Sequence, residues 1–189
     1  MGEEQSLRQK TAKGLFWGGL SNSLQQLLGL LFGIVLARLL SRSDYGMIGM
    51  LTIFSTIANI LQESGFISAL VNRKNASDKD YNAVFWFSVS CSAILYILLY
   101  LSAPLIAEFY RTPELVPLSR LTFLSFFIAS LGIAPRAILF RNLKVKENTI
   151  ISLSSLTLSG ITAIVLAVNG FAYWGIAIQS LVYVAVVVI

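Results

Sequence analysis

The sequence predicts an all-α protein whose helices cross a membrane six times. Hydrophobic residues make up 56% of the 189 residues, and the mean hydropathy is +0.77. That is more apolar surface than a soluble domain of this length can bury. Long uncharged runs also alternate with short basic connections, and the runs approach or exceed the roughly 20 residues that a helix needs to span a bilayer.

The uncharged runs define the six predicted helices. The first contains 24 uncharged residues from Gly14 to Ala37, too many for the apolar part of a cleaved signal. The last run has 42 uncharged residues from Asn148 onward, which at about 1.5 Å per residue is roughly twice the hydrocarbon thickness, so it must hold two crossings. Asn169-Gly170 supplies the turn between them. The predicted helices cover residues 14–40, 45–71, 81–107, 117–138, 148–168 and 172–189.

The distribution of basic residues predicts the orientation. Ten of the 14 lysines and arginines fall in the N-terminal tail and in the second-third and fourth-fifth connections. The other four are Arg38, Arg42, Arg111 and Arg120. The positive-inside rule therefore places the N-terminus in the cytoplasm. Residues 1–13 are predicted as a basic amphipathic segment on the inner surface, with membrane lipids as its partner.

Several function classes are disfavoured. The chain has no histidine, and its single cysteine, Cys91, permits no intrachain disulfide. No metal or cofactor is predicted. The basic residues lie between hydrophobic runs, so they are interpreted as topology signals, and nucleic-acid binding is discarded. A membrane enzyme would need a catalytic acid or histidine, and Asp78-Lys79-Asp80 is more typical of a solvated turn.

One face of the first predicted helix is polar at its inner end and small further out. Asn22, Gln26, Gly29, Gly33 and Ala37 recur at steps of three and four residues. Two interpretations remain open. The face packs closely against another helix through Gly29-x-x-x-Gly33, or it lines a hydrophilic cavity.

An acid lies inside the second predicted crossing. Glu63 sits about two turns before the polar end of the run, close to Gly65. A carboxylate there costs about 2–3 kcal/mol, so we expect it to face a protein interior or a wet cavity. The alternative is an acid near the membrane edge, neutralised by solvent or by Arg73 and Lys74.

Four segments resemble a known family in order and spacing. They are LARLLS at 36–41 with DYG at 44–46, GFISALV at 65–71 with RK at 73–74, APLIA at 103–107 with FY at 109–110, and PRAIL at 135–139. They are similar to Wzx-type polysaccharide exporters of the multidrug/oligosaccharidyl-lipid/polysaccharide (MATE-like) flippase superfamily, in the colanic-acid and lipopolysaccharide exporter branch. Two features depart from the family: the 189 residues are expected to cover only one lobe, and Glu63 stands where many relatives carry Asp.

The resemblance implies one six-helix lobe of a two-lobe transporter in the bacterial inner membrane. Its cargo would be an undecaprenyl-diphosphate-linked oligosaccharide, moved to the outer leaflet by alternating access for O-antigen, capsule or exopolysaccharide synthesis. The expected partners are this lipid-linked oligosaccharide, a C-terminal lobe or a second copy, and polysaccharide polymerase or other assembly machinery.

Such a cargo carries a diphosphate and many hydroxyls, so cationic and hydrogen-bonding groups must line its path. The candidates for binding diphosphate are Arg38, Arg120 and Arg136, for which the alternatives are snorkelling to the interface or a topological role. The candidates for sugar hydroxyls are Asn22, Gln25 and Gln26, and those for gating or coupling are Glu63 and Gly65.

Other functions remain open. A multidrug exporter of the same superfamily would rely on an acid in the first helix, and residues 14–40 contain none. A lipid II flippase would share the carrier group. A non-transporting structural subunit or a truncated inactive fragment is the alternative from a different class.

Overall fold

The structure is a computed structural model that describes residues 2–62, 78–141 and 145–188, and all of its regular elements in those ranges are α-helices. The predicted all-α class is therefore confirmed. The helices are α1 Gly2–Leu39, α2 Arg42–Gln62, α3 Asp78–Phe109, α4 Leu115–Leu131, α5 Ile133–Arg141, α6 Val145–Val168 and α7 Ala172–Val188.

Three of these helices are long and apolar enough to cross a membrane, namely Phe16–Leu39, Lys79–Phe109 and Val145–Val168. The pair α4 and α5 would make a fourth crossing if it counts as one bent span. The protein is thus a multi-pass membrane protein. The count of six stays a prediction, because the second predicted helix continues beyond the described residues and α7 has 17 residues. The boundary at residue 13 also stays a prediction, since α1 runs through it as one helix of 38 residues.

The region of the fourth predicted helix, 117–138, forms two helices in the structure. It begins at Leu115 and is broken after Leu131 into α4 and α5, which are bent by 45°. Pro135 explains the break, because proline has no N–H to donate to the carbonyl of Leu131 and its ring clashes with that carbonyl. At the break, the N–H of Gly132 bonds instead to the carbonyl of Ala129 at 3.1 Å.

The start of α2 is fixed by a capping box. Ser41 donates its backbone N–H and its hydroxyl to Asp44 Oδ2 at 2.8 and 2.6 Å, and the Asp44 N–H donates to the Ser41 hydroxyl at 3.2 Å. This reciprocal pairing satisfies amide groups that the first helical turn leaves free. The residues between the first two predicted helices, 41–44, therefore form a specific helix start.

The helices α1, α6, α7, α4 and α3 pack side by side in that order, because each neighbouring pair is in extensive contact. The short helix α5 contacts both α3 and α6. α2 contacts α4, α7 and α3, whereas α1 packs along α6 and not along α2 in the described part of the chain. The two helices joined at Ser41 therefore diverge.

Small residues allow α6 to lie close to both neighbours. Its buried face consists of Thr149, Ser152, Ser155, Ser159, Gly160 and Ala163. A Cβ atom at Gly160 would lie 2.5 Å from ring atoms of Phe32 on α1, and one at Gly175 on α7 would lie 2.9 Å from the carbonyl oxygen of Ala163. Such close approach is how membrane helices gain contact area where burial from water contributes little.

The larger core lies where α2, α3, α4 and α7 meet. Its buried members include Leu51, Ile106, Leu118, Phe123 and Ala177. A smaller cluster of Leu36, Leu40 and Ala163 joins α1 to α6. Both clusters lie toward the end of the bundle that contains the Ser41 connection, which is the predicted outer end.

Two helices end at that same side with matching backbone turns. Phe171 donates its N–H to the carbonyl of Leu166 at 2.9 Å, with Gly170 at φ 87°, and Thr112 donates to Ala107 at 2.9 Å, with Arg111 at φ 51°. Both are Schellman-type ends with a left-handed residue. The Asn169-Gly170 turn predicted between the last two helices is confirmed.

We predict that Gly160→Leu destabilises the lobe, because the side chain must displace the Phe32 ring. Overpacking of this kind costs about 1–3 kcal/mol. The measurement is the melting temperature of the chain purified in detergent. Gly33→Leu is the matched control, since nothing lies within 4 Å of a Cβ there. Equal melting temperatures for the two variants would show that the α1–α6 contact is looser than this geometry requires, and Phe32→Ala should partly rescue Gly160→Leu.

Candidate functional site

The first helix presents three distinct faces. One face packs on α6 and contains Ser21, Gln25, Leu28, Phe32 and Leu36, all buried or half-buried. A second face is a leucine-rich surface. Between them runs an exposed flank of polar and small residues, which we call the open flank, made of Asn22, Gln26, Gly29, Gly33 and Ala37.

The open flank coincides with the polar and small face noted in the sequence. A Cβ atom added at Gly29 or Gly33 would have nothing within 4 Å, so no described helix of this chain packs into that Gly-x-x-x-Gly surface. Asn22 and Gln26 are exposed at its inner end. An exposed amide facing hydrocarbon is unfavourable, which leaves water or another protein surface as its suitable environment.

Gln25 lies apart from Asn22 and Gln26. It is half-buried on the face toward α6, and its Nε2 donates to the hydroxyl of Ser21 at 2.8 Å. This bond gives Gln25 a role in helix packing. A role in binding sugar stays a prediction without support from its position.

Arg38 also lies away from the open flank. At about 100° per residue it is rotated by about 160° from Asn22 and lies within about 20° of Leu27 and Leu31 on the leucine-rich face. It is exposed in the last turn of α1. This position favours snorkelling to the interface over diphosphate binding.

Arg120 is held between α3 and α4. Its guanidinium carbon lies 4.1 Å from the centroid of the Tyr100 ring, a cation–π contact. Its Nε atom is buried without a hydrogen-bond partner within the described ranges. Arg120 therefore combines a packing contact with an unused donor.

Arg136 lies in the first turn of α5, beyond the helix break. It is half-buried, and its Nε atom likewise has no hydrogen-bond partner in the part of the chain that is described. Ser88 Oγ on α3 is the third buried side-chain atom of this kind. Ser88 is not among the residues predicted from the sequence, where nothing distinguishes it from Ser90 or Ser92.

These unused groups stand out because many other hydroxyls in the described helices bond to their own helix. The hydroxyl of Thr56, for example, donates to the carbonyl of Thr52 at 2.8 Å, and that of Ser102 donates to the carbonyl of Leu98 at 2.8 Å. The same pattern holds at Thr52, Thr122, Thr149, Ser155, Thr157 and Thr162. Such back-bonding hides a hydroxyl from hydrocarbon.

The predicted site residues are not gathered into one cavity by the described helices. The open flank belongs to α1, which packs on α6, whereas Arg120 lies between α3 and α4. Glu63 and Gly65 lie outside the described residues. A groove of about 640 Å³ exists elsewhere, on α6 and α7. It is lined by Ile150, Leu153, Ser154, Thr157, Leu158, Ile161 and Val186.

We predict that the Tyr100 ring, and not its hydroxyl, supports Arg120. Tyr100→Leu should lower stability by about 0.5–1 kcal/mol or more through loss of the cation–π contact, while Tyr100→Phe should leave it nearly unchanged. Melting temperatures of the detergent-purified variants test this. In an Arg120→Leu background the difference between the two Tyr100 variants should disappear, and its persistence would assign the effect to packing alone.

Comparison with known proteins identifies the family. Residues 35–189 match the model of the family described as polysaccharide biosynthesis protein. The lipopolysaccharide biosynthesis protein WzxC of Escherichia coli (strain K12) is 25% identical over 176 residues, which are 93% of this chain and 35% of that protein. No solved structure matches the chain.

Two further relatives agree with this match. The teichuronic acid biosynthesis protein TuaB of Bacillus subtilis (strain 168) is 27% identical over 67% of the chain and 26% of that protein. The succinoglycan biosynthesis transport protein ExoT of Rhizobium meliloti (strain 1021) is 26% identical over 78% of the chain and 30% of that protein. The chain spans about a third of the length of these relatives. Since the family match covers most of the sequence, this multi-pass membrane chain belongs to the polysaccharide biosynthesis protein family.

Proposed function

We propose that the chain takes part in moving an undecaprenyl-diphosphate-linked oligosaccharide from the inner to the outer leaflet, for the assembly of a surface polysaccharide. It acts as a transporter component, by alternating access, and not as an enzyme. Family membership supports the general role, and the transport protein ExoT is among the relatives. The observation that carries the finer proposal is the open flank of α1.

The open flank suits one wall of a sugar-conducting cavity. Its two exposed amides can donate to and accept from hydroxyls, and its glycines and alanine leave room for a bulky chain to pass. From Phe16 onward, the rest of the exposed surface of α1 is rich in leucine, which suits lipid. A C-terminal lobe or a second copy would form the opposite wall.

The two half-buried arginines suit the anionic part of such a cargo. Arg120 and Arg136 lie about 24 Å apart as measured along the two helices, at 1.5 Å per residue. Each has a buried Nε donor without a protein acceptor among the described residues. Charge-assisted hydrogen bonds from arginine to phosphate are strong and directional, so these residues would support a diphosphate at two depths.

We predict that Asn22→Leu with Gln26→Leu, placed in the chromosomal copy of the producing strain, lowers surface polysaccharide at least several-fold at unchanged protein level. The physical reason is loss of the amides that replace water around sugar hydroxyls. Immunoblotting of surface polysaccharide, with mass spectrometry of lipid-linked intermediates, measures the effect. The intermediates should accumulate.

Ser23→Leu is the matched control, because Ser23 is exposed on α1 but points toward the leucine-rich face. Unchanged export in the double variant would contradict the proposal. A change in resistance to cationic drugs without a change in polysaccharide would favour a multidrug exporter. Accumulation of lipid II alone would favour a lipid II flippase.

The proposed direction of transport requires a cytoplasmic N-terminus. We predict that in a Cys91→Ser background, Glu114→Cys is labelled by a membrane-impermeant maleimide in intact spheroplasts, whereas Lys79→Cys is labelled only after permeabilisation. Both positions are exposed: Lys79 lies at the start of α3, and Glu114 lies in the turn that follows its other end. The reverse pattern would invert the topology and overturn the proposed direction.

A further inference from the structure

We propose that Ser88 and Arg136 together form a binding site for a phosphate group between α3 and α5. Two observations bring them together. Each contributes a buried polar atom, Ser88 Oγ and Arg136 Nε, that has no hydrogen-bond partner within the described ranges. The pairing of the helices also places the two residues within about one helical turn of the same level.

The register of α3 against α4 gives this level. The guanidinium carbon of Arg120 lies 4.1 Å from the centroid of the Tyr100 ring, and the ring centroids of Tyr96 and Phe127 are 6.4 Å apart. The two helices run antiparallel, so each step back along α3 matches a step forward along the partner. Continued to Ser88, this register reaches residues 132 to 135, which is within about one helical turn of Arg136. α3 does contact α5 beyond the break.

The side-chain chemistry favours an anion over a neutral ligand. Ser88 is only 3% exposed, and its hydroxyl departs from the back-bonding that satisfies the other helical hydroxyls described above. Arg136 carries a permanent positive charge, and leaving its buried Nε–H without an acceptor is costly. A phosphate oxygen can accept from both the Ser88 hydroxyl and the Arg136 Nε–H, and it neutralises the arginine.

Two sources can supply that phosphate in a membrane. One is the headgroup of an anionic phospholipid, and the other is the diphosphate of an isoprenoid carrier. The carrier source rests on the proposed function, whereas the phospholipid source does not. The site itself is defined by the phosphate chemistry that the two ligands share.

Binding to the purified full chain in detergent tests the proposal, by microscale thermophoresis. The probes are dioctanoyl phosphatidic acid and farnesyl diphosphate, compared with dioctanoylglycerol and farnesol. We expect at least one phosphate probe to bind about tenfold or more tightly than its uncharged counterpart. Arg136→Gln should weaken that probe about tenfold and Ser88→Ala about threefold, in keeping with charge-assisted bonds.

Matched variants separate this site from general effects. Arg42→Gln removes the same charge from an exposed position, and Ser90→Ala removes a hydroxyl from a less buried position on α3, so both should bind like the wild type. Ser88→Thr should retain binding, because it retains the hydroxyl. The affinity of Arg136→Lys for the phosphate probe should fall between those of the wild type and Arg136→Gln. Such a graded loss distinguishes weakened binding from poor folding.

The outcomes test the phosphate site and the proposed transport function separately. Equal affinity of wild type, Ser88→Ala and Arg136→Gln for both phosphate probes would overturn the site, as would equal binding of charged and uncharged probes. Binding of phosphatidic acid alone supports the site as a phospholipid site even if export fails. Binding of farnesyl diphosphate supports it as a site for the carrier.

Discussion

A membrane interior contains no water to satisfy polar groups, so each must find a partner within the protein. The lobe obeys this constraint along most of its length. Hydroxyls on α2, α3, α4 and α6 are bonded to carbonyls of their own helices, and Gln25 is bonded to Ser21 one turn away. The exposed amides of the open flank and the unpaired atoms of Ser88, Arg120 and Arg136 are departures from this rule. They are therefore the places where a ligand or another surface is most needed.

The packing follows from the same constraint. Because lipid is as apolar as leucine, the helices associate through close fit, and α6 supplies it with small residues toward both α1 and α7. The Gly160–Phe32 contact fixes which side of α1 is covered. It thereby also fixes which side of α1 remains exposed. A packing contact on one face of the helix therefore determines which polar residues are accessible on the neighbouring face.

Much of the fold follows from the sequence, because long uncharged runs leave few alternatives to membrane helices. The break after Leu131 is not predicted by those runs, although Pro135 carries the signal, since hydropathy does not register a missing N–H. For the site, the rotation of about 100° per residue is enough to place Arg38 and Asn22 on different faces of α1. The separate positions of Gln25 and Asn22 depend on which face meets α6. The burial of Ser88 depends on the register of α3 against α4 and α5. The spacing of serines in the sequence does not reveal that register.

The unbroken course of α1 has a mechanical consequence. Its 38 residues would extend about 57 Å as a straight rod at 1.5 Å per residue, while the hydrocarbon layer is about 30 Å thick. Close to half of the rod must therefore project beyond the acyl chains or run along the headgroups. Because α1 is one continuous helix, a partner that binds its projecting end would act on the same helix that carries Asn22 and Gln26.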